Sequence, residues 1–463
     1  MKDIKVFQST KDKMWVKEQS SIKWKDDINL QEMQLLMVYD DIKYQEIKGF
    51  GGTFTEASAM TYAQMNPEKQ SEILEMLFGK TGLKYTCSRK AIGSCDASRG
   101  NYSCCDKADE ELVSFNIDKE KEYVVPLIKD AMEVASDMEI MASPWSPPVW
   151  LKTNGDMLHG GKLKKEYYGI WAKYFVKYIE EYKKEGIETT YVSVQNEPQA
   201  VQIWESCVWD EEEEKVFIRD FLYPALQEAG LNDVKIVVWD HNKERVFERA
   251  RYIMADEMVR NMIAGFAFHW YSGDHFENVA LCREMFPDKE LLFTEGCVEL
   301  AKTDTTMAEK ANQGNLGNVN FKNAPYEFGE CYAHDMIGNF NSGMNRYIDW
   351  SMLLNENGGP NHVNNYCSAP IMCDTNDQEV ILQSTYYFIS HFSSFVPPGS
   401  RRIAHSKYTE ALEMVAFLTP ANERVVVLMN TSEHDIPYVI KDVSNAKVAT
   451  AIANAKSIYT LVF

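Results

Sequence analysis

The chain has 463 residues, more than one ordinary domain holds and enough for a large barrel with a smaller partner. Hydrophobic residues make up 45%, and 48 Lys plus Arg face 69 Asp plus Glu, a formal net charge of −21. Such acidity repels nucleic acid and anionic membranes, and no apolar run is long enough to suggest a transmembrane segment.

The N-terminal MKDIKVFQSTKDKMW carries charge without the apolar stretch of a secretory signal. With ten scattered cysteines, this points to a cytoplasmic protein with reduced thiols. Export by a non-classical route stays open. The first 40 residues hold short strand-like runs, DIKVFQS and MQLLMVY.

From about residue 45 to 390, short β-like runs alternate with amphipathic helical stretches. The strand candidates are EIKGFGGTFT (46–55), LKYTCSRKAI (83–92), EIMASPW (139–145), TTYVSVQNEP (189–198), VKIVVWDHN (234–242), GFAFHWY (265–271), ELLFTEG (290–296) and NRYIDWSMLLN (345–355). Between the first two, NPEKQSEILEMLFG reads as a helix that opens on an Asn cap and Pro and ends in Gly. KEKEYVVPLIKDAMEVASD follows the second strand and KKEYYGIWAKYFVKYIEEYKKEG the third. DEEEEKVFIRDFLYPALQEAG follows the fourth, its acids placed to complement the helix dipole as a solvated helix start. Later gaps show weaker helical patterns.

Eight βα units are the count of a TIM barrel. The alternative, a doubly wound open sheet, usually carries a glycine-rich phosphate turn, and GFGG at 49–52 lacks that spacing. From about residue 403, EALEMVAFL, ERVVVLMN, IPYVIKD and SIYTLVF alternate apolar and polar residues as antiparallel β does. The expected fold is therefore α/β, a (β/α)8 barrel with a small antiparallel β-sandwich side domain. Residues 1–44 and 396–463 would form the sandwich and 45–395 the barrel.

Barrel active sites lie at the C-terminal ends of the strands. Strand four ends in Gln195-Asn196-Glu197-Pro198 and strand seven in Thr294-Glu295-Gly296. Strand six ends in His269-Trp270-Tyr271, strand three in Pro144-Trp145, and strand eight runs through Asp349-Trp350 to Asn355. Strand two is followed by Ser94-Cys95-Asp96. Carboxylates, amides and aromatic faces suit a sugar. Two carboxylates across a barrel mouth are what glycoside hydrolysis needs, and their separation decides between retention and inversion. Sequence leaves that separation open.

The segments GFGGTFTEASA, SCD, ASPWSPPVWLKTNGDM, SVQNEP, FHWY, LLFTEG, IDWSMLLNENGGPNH and SHFSSFVPPGSRRI occur in order along nearly the whole chain. The chain resembles glycoside hydrolase family 30 in its glucosylceramidase-like branch. WESCVWDEEEE, WDHNK and HWYSGDHFE are most like its bacterial effector-type members. The resemblance implies a retaining double displacement, with Glu197 as acid/base and Glu295 as nucleophile. It also implies that Asn196 contacts the sugar 2-hydroxyl and that Tyr271 and Arg89 orient the nucleophile. Asp96, Trp145, Trp350 and Asn361 match sugar-binding positions. Core packing is the plainer role for the two tryptophans, and a turn after Gly358-Gly359-Pro360 for Asn361. Ala97 and Ala91 depart from the family pattern, where an aromatic and a proline are common, and put the exact substrate in question.

The expected enzyme is an exo-acting β-glucosidase of glucosylceramidase type. Endo-β-1,6-glucanase, β-xylosidase and β-fucosidase/galactosidase are alternatives on the same scaffold, and a non-catalytic sugar-binding protein is the remote one. Its substrate would be a small-molecule or glycolipid β-glycoside, with no cofactor and no metal. In this pair the charge of Glu295 is expected to raise the pKa of Glu197. A lipid substrate would need an apolar entrance, which Trp204 and Trp209 could supply, loop burial being the alternative.

Overall fold

The computed structural model describes residues 2–28, 35–300 and 325–463. Eight parallel strands close a barrel: β1 (Gly49–Phe54), β2 (Cys87–Ile92), β3 (Glu139–Pro144), β4 (Tyr191–Ser193), β5 (Lys235–Asn242), β6 (Ile263–His269), β7 (Glu290–Glu295) and β8 (Arg346–Ser351). Seven fall within the expected runs, and β6 overlaps its run, 265–271, but starts two residues earlier. They are buried nearly throughout because helices cover the outside and side chains fill the inside. The GFGG glycines serve this closure. A Cβ on Gly51 would sit 1.7 Å from the Cys87 carbonyl oxygen, so the β1 and β2 backbones approach as only glycine allows.

Helix Pro67–Phe78 begins where Asn66 Oδ1 accepts the Lys69 amide at 3.1 Å. Helix Tyr168–Lys184 buries Trp171, Tyr174, Phe175, Tyr178, Ile179 and Tyr182, a stripe of three- and four-residue steps. The stretch after β4 is expected as a single helix, but it breaks into Glu211–Phe217, a π turn at Ile218–Leu222, and Tyr223–Glu228. Pro224 offers no amide to a regular ladder there. Its acidic start also differs from a solvated run. Asp210 and Glu213 form a capping box, whereas Glu214 is buried and pairs with Arg249 at 3.0 Å. The later gaps hold Val246–Met254, Glu257–Met262, Phe276–Met285, Tyr326–Asn341 and Ser384–Ser393.

A second, ten-stranded sheet forms the β-sandwich, and it draws strands from both chain ends. Ile4–Thr10 lies between Lys13–Ile22 and the C-terminal Ser457–Val462, and Leu35–Glu46 pairs with Arg401–Lys407 and Ile436–Asp442. Leu36, Val38, Met414, Leu428 and Leu461 share its apolar core. The sandwich docks on barrel helix Ser384–Ser393, where buried His391 hydrogen-bonds Ser9 Oγ at 2.9 Å and Thr460 Oγ1 at 2.8 Å. No helix among the described residues is long and apolar enough to cross a membrane.

Candidate active site

The barrel interior is layered. Met141, Tyr191, Val237, Ala267 and Leu292 form an apolar plug from β3 to β7. One step along each strand, in the period-two direction of a β-strand, lie Ser143, Ser193, His269 and Thr294, joined by Arg89 of β2. On β5 that step from Val237 would reach Trp239. Instead, Ala267 pairs with Trp239 and Phe268 with His241, leaving Asp240 as an extra bulged residue. Trp239 and Asp240 take positive φ of 76° and 51°. The bulge sends Trp239 into the outer core and Asp240 into the barrel.

Asp240 is the hub. Its carboxylate accepts from Arg89 Nη2 at 2.8 Å, Ser193 Oγ at 2.6 Å and Thr294 Oγ1 at 2.7 Å, and it lies 3.1 Å from His269 Nε2. Burial works against its charge, but Arg89 and His269 hold it far below the usual carboxylate range. Arg89 is fully buried and bridges outward. Its Nη1 donates to Glu295 Oε2 at 2.6 Å and its Nη2 to Asn196 Oδ1 at 2.6 Å. The other Glu295 oxygen accepts from Tyr271 Oη at 3.0 Å. A Cβ on Gly296 would meet Phe293 at 2.6 Å and the Trp270 ring at 3.0 Å, so glycine after Glu295 lets the chain turn across two aromatic rings.

Glu197 stands past the end of β4 with φ 47°, an uncommon conformation outside glycine. Backbone hydrogen bonds impose it, Asn196 N to Pro144 O at 2.8 Å and Glu197 N to Asp240 O at 2.9 Å. Its Oε1 lies 3.2 Å from His269 Nδ1 and 3.6 Å from His241 Nδ1. Burial raises the Glu197 pKa, but the two imidazoles outweigh it and hold the group well below the usual range. Glu295 is raised, by burial first and by the Glu197 charge, against the pull of His269 and Arg89. His269 itself, although burial disfavours its cation, is pushed up to about 9 by Glu295, Asp240 and Glu197.

Trp145 and Trp350 form one wall, their rings 5.3 Å apart and tilted by 33°, with the Arg89 guanidinium 4.7 Å from the Trp145 ring. Both are almost fully buried in a cluster with Ala97, Cys297, Cys367 and Met372. Asp96 is buried and accepts from Asn361 Nδ2 at 3.3 Å and Asn365 Nδ2 at 3.2 Å. Burial, then the charge of Glu295, pushes its pKa up to about 7. Asn361 also makes the turn, its Oδ1 accepting the amides of Val363 and Asn365 at 3.0 Å each. Trp209 is not an entrance. It packs against Tyr168 and Phe217 and is 1% exposed. Trp204 is half-buried against the Trp145–Trp350 cluster.

Glu197, Glu295, Asn196, Tyr271 and Arg89 thus meet in one hydrogen-bonded network, and Asp96, Asn361, Trp145 and Trp350 lie beside it. Asp240, His269 and His241 had no expected role, although His269 stands at the end of the strand-six run. His269 had a signal, since it shares strand parity with Ala267. Asp240 had none, because its inward aim depends on the bulge.

The model of the glycosyl hydrolase family 30 TIM-barrel domain matches residues 47–396, and that of the family 30 β-sandwich domain matches 399–461. The chain is 32% identical over 424 residues to the lysosomal acid glucosylceramidase of Mus musculus, covering 88% of this chain and 79% of that protein. The crystal structure of SrfJ from Salmonella typhimurium superposes with a TM-score of 0.92 at 34% identity, covering 100% of this chain and 99% of that one. The endo-β1,6-glucanase BT3312 follows at 0.83 and 27% identity, covering 99% of each chain. A (β/α)8 barrel with a β-sandwich, carrying paired carboxylates at the strand ends and matched along both domains, places this chain in glycosyl hydrolase family 30, as a glycoside hydrolase.

Proposed function

We propose that the protein is a retaining, exo-acting β-glucosidase of glucosylceramidase type, with Glu295 as nucleophile and Glu197 as acid/base. The observation that carries this reading is the unequal setting of the two carboxylates. Glu295 is held by two donors, Arg89 at 2.6 Å and Tyr271 at 3.0 Å, which aim a carboxylate. Glu197 sits on a hydrogen bond to His269 at 3.2 Å, which requires a proton between Nδ1 and Oε1.

In the first step Glu295 attacks the anomeric carbon and the bond to the aglycone oxygen breaks. Glu197 gives that oxygen the proton that it shares with His269 Nδ1, 3.2 Å away, and a glycosyl ester of Glu295 forms. Glycosylation removes the Glu295 charge. In the second step Glu197 accepts a proton from water as the water oxygen attacks the anomeric carbon, freeing Glu295 and a sugar of unchanged β configuration. Asn196, oriented by Arg89, contacts the 2-hydroxyl, an interaction that strengthens in the transition state. Trp145 and Trp350 offer apolar faces to the sugar ring, and Asp96 with Asn361 takes hydroxyls on its far side.

The similarity to a glucosylceramidase supports a glucoside, and the rim supports an amphiphilic aglycone. Val201 and Ile203 are 64% and 59% exposed on the loop after Glu197, next to half-buried Trp204. The similarity to endo-β1,6-glucanase BT3312 favours a β-1,6-glucan as the second reading. Parallel assays on glucosylceramide in detergent, aryl β-glycosides and β-1,6-glucan separate them. Release of glucose from glucosylceramide is expected, and exclusive cleavage of the glucan overturns the choice of substrate.

A further inference from the structure

Glu197 Oε1, a nitrogen of His241 and a nitrogen of His269 all lie within 4.8 Å of one another. The edge from Glu197 Oε1 to His269 Nδ1 is 3.2 Å and that to His241 Nδ1 is 3.6 Å. Tetrahedral zinc, bound at about 2.0–2.2 Å by imidazole nitrogen and carboxylate oxygen, sets its ligand atoms roughly 3.3–3.5 Å apart. Two edges of the triangle therefore already stand near that spacing.

The surroundings match what a zinc site needs beyond its ligands. A zinc-bound imidazole nearly always gives its other ring N–H to a carboxylate, which fixes the tautomer and the ring plane. His269 Nε2 lies 3.1 Å from Asp240 Oδ1, and Asp240 is itself fixed by Arg89, Ser193 and Thr294. The His241 ring lies against Trp239, centroids 5.1 Å apart, and its buried Nδ1, 3.6 Å from Glu197 Oε1, has no partner at hydrogen-bond distance among the described residues. That is an unused donor atom aimed at the Glu197 carboxylate. Asp240 and Glu295 pair with Arg89 while Glu197 faces the two imidazoles, so three carboxylates at this end of the barrel stand against one guanidinium, a field that favours a divalent cation. His269 is fully enclosed, whereas the side chains of Glu197 and His241 are 12% and 13% exposed, so entry is from the sugar cleft. A fourth ligand, water or a sugar hydroxyl, would come from the same side.

We propose that Glu197, His241 and His269 form an inhibitory binding site for zinc or a cation of the same imidazole-preferring class. The consequence for turnover rests on Glu197 being the acid/base. The metal would take the place of the proton between His269 Nδ1 and Glu197 Oε1, so binding releases that proton, and Glu197 can then neither give one to the aglycone oxygen nor take one from water. Imidazole and carboxylate together favour zinc over magnesium or calcium, which prefer oxygen alone.

The test is calorimetric titration of the full chain with zinc chloride after dialysis against a chelator, beside an aryl β-glycoside assay. One zinc per chain is expected, with reversible inhibition over the same concentrations and recovery on adding EDTA. Magnesium should do neither. H241Q should weaken zinc binding by about tenfold or more, and D240N by about 10–100-fold, each checked for folding by circular dichroism. Absence of saturable binding, or equal affinity in H241Q, overturns the proposal. Binding without any glycoside hydrolysis by the metal-free protein would overturn the proposed function and leave the zinc site standing.

Discussion

Two layers of side chains fill the same barrel, one step apart along the same strands, and they hold together in opposite ways. The lower, Met141, Tyr191, Val237, Ala267 and Leu292, depends on apolar packing. The upper, Arg89, Asp240, His269, Ser143, Ser193 and Thr294, depends on each buried polar group having a named partner. An apolar layer loses contact area when one member is trimmed. A charged layer loses its compensation, and the partner left behind is buried and unpaired. Placing the charged layer against the mouth lets the scaffold hold Glu295 and Asn196 through one guanidinium.

The comparison breaks most sharply at the mouth. E295Q is expected to lower kcat on an aryl β-glucoside by about 10³-fold or more, with near-native unfolding curves. E197Q should impair substrates with poor leaving groups far more than activated ones, read as a steepened dependence of rate on leaving-group pKa. Near-normal turnover of a natural glycoside by either variant would remove the roles given to the pair.

Arg89 tests the upper layer. R89M leaves Asp240 and Glu295 without their shared cation, and a loss of about 3–5 kcal/mol is expected in denaturant unfolding, together with loss of activity. The double variant R89M/D240N should recover part of that stability. If it recovers none, compensation of charge is not what Arg89 provides. L292A tests the lower layer. A loss of about 2–5 kcal/mol is expected from the cavity, with the pH profile of kcat unchanged. A shifted profile would mean that the two layers are coupled.

An effect confined to acid pH lies at the junction with the sandwich. Burial lowers the His391 pKa to about 3 from an ordinary 6.5. Between those values the unfolded chain binds a proton that the folded chain refuses, so this contribution is full above pH 6.5 and is lost as pH falls toward 3. The slope for one such group is at most about 1.4 kcal/mol per pH unit. H391Q should flatten the pH dependence of stability over that range. An unchanged dependence would assign acid lability elsewhere.

The layering also explains what could be read in the chain. Eight apolar runs with helices between them gave the barrel, because both faces of each strand are buried and the runs stand out. The carboxylates at the ends of β4 and β7 were visible for the same reason, as was the Asn66 cap. Asp240 was hidden because parity along β5 breaks at a bulge that no local pattern announces. Glu214 read as a solvated acid because its partner Arg249 is 35 residues away. Trp209 left two options open, since contact with Tyr168 and Phe217 is tertiary. The relative protonation of Glu197 and Glu295 could not be read from two glutamates alone, because His241 and His269 arrive from two other strands.

The central claim is a double displacement at Glu295 assisted by Glu197, and the anomer first released tests it directly. Proton NMR of an aryl β-glucoside, recorded before mutarotation, should show the β-sugar appearing first, with the α-sugar growing in later. Initial release of the α-sugar would contradict the account.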